Sequence, residues 1–73
     1  MDYSKLVKTL REKLILTQSE LAEMIGVSFT TVNRWENGKH EPTIKAKRKL
    51  NTLFIENKII RDNQEDLKWL LET

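Results

Sequence analysis

The chain has 73 residues, 38% of them hydrophobic and 33% charged, with a net charge of +2 and no cysteine. That balance fits one small globular domain and not a disordered tail, and it excludes disulfide staples and thiolate metal sites. Only ~60% of the unfolded surface is buried by a chain of this size, so the core must be economical.

The charge is unevenly spread: residues 1–50 carry ten Lys/Arg against six Asp/Glu, and residues 51–73 three against five. A basic front and an acidic rear suit a polyanion that meets one face, although a mixed surface is the equally simple reading. No apolar run approaches the ~20 residues needed to cross a bilayer. The opening MDYSKLVKTL lacks the layout of a signal peptide, so the expected address is the cytoplasm of a bacterial or phage-derived system.

Two glycines and one proline leave little room for hairpins, and the periodicity is helical throughout. Tyr3, Leu6, Val7, Leu10 and Leu14 form one stripe on a first helix at about residues 3–14. Thr17-Gln18-Ser19-Glu20 reads as a capping box, opening a second helix at about 18–25 that buries Leu21, Ala22 and Ile25. Gly26 ends it, because glycine enters the left-handed region at little cost. Ser28 caps a third helix at about 29–36, closed by Asn37-Gly38. With only Gly26, Val27 and Ser28 between them, the second and third helices form a helix-turn-helix.

Pro42 turns Glu41 out of helical geometry. A fourth helix is expected from near Thr43, with Ile44, Leu50, Leu53 and Phe54 inward and Lys45, Lys47, Arg48 and Lys49 outward. Asp62-Asn63-Gln64-Glu65 repeats the capping pattern before Leu67, Leu70 and Leu71, which makes a fifth helix. The expected architecture is all-α, five helices in a single domain over residues 1–73. In it, residues 1–60 form the core and 61–73 a C-terminal helix.

The stretch GVSFTTVNRWENGKHEP carries the chemistry. At about 100° per residue, Val32 and Trp35 fall on one side of the third helix, and Phe29, Thr30, Asn33 and Arg34 on the other. Asn and Arg make bidentate contacts with adenine and guanine edges, and Phe or a Thr methyl meets the thymine methyl. A solvated polar face is the plain alternative. Catalysis is not expected, since there is one histidine, no cysteine and no phosphate-cradling glycine loop. No metal or cofactor is expected either.

Thr17 to Ala22, then Gly26-Val27-Ser28, then Trp35-Glu36-Asn37-Gly38 and Pro42, taken in that order and spacing, resemble the helix-turn-helix of the lambda-repressor-like family, strongly over residues 5–42. The resemblance implies a five-helix domain whose third helix lies in the major groove. It implies a transcriptional regulator, a repressor, that binds double-stranded DNA as a homodimer on a near-palindromic operator. The alternative is a DNA-targeting or protein-interaction module of a larger assembly, such as an antitoxin on its toxin.

Carried over by position, Phe29, Thr30, Asn33 and Arg34 become base readers. Gln18, Ser28, Thr31, Asn37 and Lys39 become backbone contacts, and Arg11 and Glu36 a structural ion pair. Phe29 has a second reading as packing at the turn, Thr31 as a plain helix hydroxyl, and Arg11 as part of the basic surface. Lys47 stands where the family commonly has an apolar residue, and the run Lys45, Lys47, Arg48, Lys49 is either a solvated face or an approach to flanking phosphate. Trp69 lies off the Leu67/Leu70/Leu71 face, where it serves self-association or covers the edge of the core.

Overall fold

Among the described residues, three helices begin at a hydroxyl that replaces a missing helical acceptor. Thr17 Oγ1 accepts from the Glu20 amide at 3.1 Å while Glu20 Oε1 accepts from the Thr17 amide at 2.9 Å. Ser28 Oγ accepts from the Thr31 amide at 3.2 Å, and Thr43 Oγ1 from the Ala46 amide at 3.3 Å. The structure, a computed structural model, describes residues 3–59. These form α1 (Tyr3–Lys13), α2 (Gln18–Ile25), α3 (Phe29–Glu36) and α4 (Ile44–Glu56).

The domain is all-α, and the described residues contain no strand. The described residues form four helices, where the whole chain was expected to form five. The fifth, over Leu67, Leu70 and Leu71, and the self-association assigned to Trp69 both lie outside the described residues. No helix among the described residues is long and apolar enough to cross a membrane.

Helix α3 packs against α2 and α1, and α4 packs against α1 and α2. Their shared core is Val7, Leu10, Leu21, Ala22, Ile25, Val32, Trp35, Ala46, Leu50 and Phe54. Tyr3, Leu6 and Leu14, expected on the apolar stripe of α1, are half-buried against it.

Two assignments on α4 are corrected. Lys47 was expected outward and is 1% exposed, whereas Ile44 was expected inward and is 47% exposed. At about 100° per residue, position 47 falls beside Leu50 and Phe54, and position 44 falls well off that side. Geometry overrides polarity here because the lysine stem is four methylenes long and lies along apolar surface. Its ammonium donates to Glu41 Oε1 at 3.0 Å, a carboxylate immediately before the buried Pro42.

Lys49 also has a local duty. Its Nζ donates to the Ile25 carbonyl at 3.0 Å, at the C-terminus of α2, where a cation also complements the helix dipole. Lys45 and Arg48 are exposed.

The ends of α1 and α3 close by the same hydrogen-bond pattern. After α3, the Lys39 amide reaches the Arg34 carbonyl at 2.9 Å and the Gly38 amide reaches Trp35 at 3.1 Å, with Gly38 at φ +69°. After α1, Leu16 reaches Arg11 at 2.9 Å and Ile15 reaches Glu12 at 3.1 Å, but the left-handed position is Ile15 at φ +57°. A β-branched residue there is strained, and this one is 89% exposed, so packing does not repay the strain. Ile15→Gly is therefore expected to raise the melting temperature by about 3–6 °C, the net of relieved strain and the freer unfolded chain. A thermal melt checks this, and a lower melting temperature would contradict the strain.

Candidate nucleic-acid interface

Helix α3 is fixed from behind and presented in front. Val32 is 0% and Trp35 1% exposed, which seats the helix on the core. Thr30 and Arg34 are exposed on the outward side, and Phe29 is 51% exposed. Phe29 is thus about half exposed at the start of α3. Ser28 and Thr31, both assigned to the DNA backbone, pair their hydroxyls at 2.9 Å. Lys39 is exposed beyond the end of α3.

Along one edge of α3 the side chains join α1 and α2. Arg11 Nε donates to Glu36 Oε2 at 2.7 Å and its Nη2 to Oε1 at 2.9 Å, a bidentate pair. Arg11 Nη1 also donates to the Leu16 carbonyl at 3.2 Å, so one guanidinium ties α1, the following turn and the end of α3. The side chains of Arg11 and Glu36 are 20% and 5% exposed.

Burial alone would raise the pKa of Glu36. The Arg11 and Gln18 hydrogen bonds, with the charges of Arg11 and Lys8, together outweigh that and hold the carboxyl below its ordinary value of 4.5. The hydrogen bond to Glu36 in turn raises the pKa of Arg11.

Gln18 Nε2 donates to Glu36 Oε1 at 3.2 Å, Asn33 Nδ2 donates to Gln18 Oε1 at 3.2 Å, and Asn37 Nδ2 donates to Asn33 Oδ1 at 3.1 Å. Apart from the Ser28–Thr31 pair, the expected interface residues thus divide into two groups. Phe29, Thr30, Arg34 and Lys39 face solvent, and Gln18, Asn33 and Asn37 are linked to one another and to the ion pair. Reading the sequence missed this linkage. Its one sequence signal is the spacing of Asn33, Glu36 and Asn37, which places three polar groups on one edge of α3.

A capped pair of helices joined by three residues, with the second anchored by Val32 and Trp35 and polar on its free side, defines a helix-turn-helix domain. The model of the helix-turn-helix family matches residues 7–53, and the chain belongs to that family, in its lambda-repressor-like branch.

Over 62 residues the chain is 37% identical to an uncharacterized HTH-type transcriptional regulator of Archaeoglobus fulgidus, covering 81% of this chain and 87% of the relative. A second such regulator from the same organism is 34% identical over 62 residues, 81% of this chain and 89% of the relative. The HTH-type transcriptional activator BcrR of Enterococcus faecalis is 33% identical over 54 residues, 74% of this chain but only 26% of that activator's length. No solved structure gives a significant match.

Proposed function

We propose that this chain binds double-stranded DNA in a sequence-specific manner with α3 in the major groove, and that it represses transcription by occupying a promoter. The observation that carries this reading is the division of α3: Val32 and Trp35 are buried, while Thr30 and Arg34 face out beside the half-exposed Phe29. Those exposed groups are chemically apt for base edges, with Arg34 for guanine and Phe29 and the Thr30 methyl for thymine. Ser28, Thr31, Lys39, Gln18 and Asn37 flank them as donors for phosphate oxygens. The names of the two archaeal relatives and of the bacterial activator support a role in transcription.

Two copies of the chain on a near-palindromic site complete the proposal. Selection of bound duplexes from a random library, followed by sequencing, is the direct test. An enriched inverted repeat with half-sites ~34 Å apart is expected. A single unrepeated half-site would remove the dimer, and no enrichment even at low salt would overturn DNA reading itself. On a promoter carrying the selected site, transcription in vitro is expected to fall as the chain is added; a rise would make it an activator.

The roles separate by mutation. Arg34→Ala is expected to cost about 1–3 kcal/mol of binding and to relax preference at one position of the motif. Lys39→Ala is expected to weaken all sequences alike and to lower the slope of log affinity against log salt by about 0.9. Titrations of the selected duplex over a salt series measure both.

A further inference from the structure

The amides beside the ion pair run in one direction. Glu36, ionised and held by Arg11 at 2.7 Å, has only lone pairs to offer. Gln18 must therefore turn Nε2 toward it, which leaves Oε1 facing α3. Asn33 must answer that oxygen with Nδ2, which leaves its own Oδ1 for Asn37, and Asn37 must answer with Nδ2. The three bonds, at 3.2, 3.2 and 3.1 Å, have this polarity throughout. One carboxylate thus fixes the orientation of three amides.

This arrangement bears on what Asn33 can do. Bidentate reading of adenine uses the oxygen and the nitrogen of an amide together. In Asn33 both ends are turned to protein partners, Nδ2 to Gln18 and Oδ1 to Asn37. One N–H and one Oδ1 lone pair remain, but the bonds to Gln18 and Asn37 fix the direction of both, so Asn33 cannot turn to meet a base edge without giving up one of those bonds. Gln18 and Asn37 each use one amide hydrogen in the chain, and each keeps a second at positions flanking the exposed face of α3.

We infer that Asn33 is a positioning residue and not the adenine reader: with Glu36 it locks Gln18 and Asn37 in the orientation that offers an amide hydrogen to the DNA backbone. Base discrimination then falls to Phe29, Thr30 and Arg34. This inference rests on the DNA-binding reading above and assigns the work within the same surface.

The test is duplex selection and affinity titration on the full chain and on Asn33→Ala, each checked by thermal melting. The wild-type chain is expected to yield a motif, and the variant the same motif at every base pair with affinity reduced about 3- to 10-fold, the range for lost polar contacts. In a Gln18→Ala, Asn37→Ala background, Asn33→Ala is expected to cost under about 2-fold more, because Asn33 acts through those two contacts.

If Asn33→Ala loses preference at one base pair and keeps the rest, Asn33 reads that base and the inference is overturned while DNA reading stands. An added loss in the Gln18→Ala, Asn37→Ala background as large as in the wild-type chain overturns it as well. A wild-type chain that enriches no motif overturns the DNA reading and this inference with it. Should Asn33→Ala fail to fold, Asn33→Ser goes through the same measurements, since its hydroxyl is too short to rebuild both bonds.

Discussion

Trp35→Ala is expected to cost about 3–5 kcal/mol, much of the stability of a domain this small. Trp35 is the largest of the fully buried side chains and is 1% exposed, and it lies on α3, which packs against both α1 and α2. Truncation leaves a cavity where these helices meet, and short helices relax poorly around it. Urea titration followed by circular dichroism checks the value; a loss below about 1 kcal/mol would show that the site collapses without Trp35.

Trp35→Phe should behave differently. The indole Nε1 is buried with no hydrogen-bond partner, and such a group carries a desolvation penalty of about 1–3 kcal/mol. Phenylalanine removes the penalty while leaving a smaller void. The two effects oppose each other, and a net change within about 1.5 kcal/mol is expected. On that expectation the tryptophan stabilises through its volume and not through its N–H.

Glu36→Gln is the second large loss, expected at about 2–3 kcal/mol. Breaking a fully buried ion pair costs about 3–5 kcal/mol, and Arg11, with its side chain 20% exposed, is wet enough to recover part of that. The glutamine also ends the polarity of the amide chain, because its NH2 can face Gln18 or Arg11 but satisfies neither as a carboxylate does.

The same group sets an acid limb. Its folded pKa lies below the ordinary 4.5, so the unfolded chain takes up the proton first as pH falls. The stabilisation is complete above the unfolded value and is lost as pH drops from about 4.5 through the folded pKa. Between neutral pH and that window Glu36 contributes no slope. Melting temperature measured against pH should fall less steeply below 4.5 in Glu36→Gln than in the wild-type chain; parallel curves would show that other carboxylates set the acid limb.

Much of the fold was legible because its signals are local. A hydroxyl three residues before an amide it can cap, at Thr17 and Ser28, and a glycine after each of α2 and α3, at Gly26 and Gly38, are decided within one turn of chain. The helix boundaries follow from them. What failed depended on neighbours in space or on tolerated strain. Lys47 was placed outside by its charge, although its spacing to Leu50 and Phe54 put it inside, and Glu41 makes that tolerable. Ile15 at φ +57° has no sequence signal, since a β-branched residue is a poor choice for that conformation.

The candidate site divides the same way. The outward face of α3 followed from its period, whereas the bond between Gln18 and Asn33 joins residues 15 apart and exists only once α2 and α3 have docked. The amide chain is a product of tertiary structure, and no one-dimensional pattern states its direction.

The lysine inside α4 has a consequence for how the domain opens. Its buried ammonium donates to Glu41, and Glu41 reaches it from the segment between α3 and α4. Peeling that segment away would break this ion pair at a buried cation, which is costly. Loop 38–42 and the first turns of α4 are thus one cooperative unit, and their amides should exchange with deuterium at a common rate set by joint opening. The loop that carries Lys39 inherits the rigidity of the core beneath it.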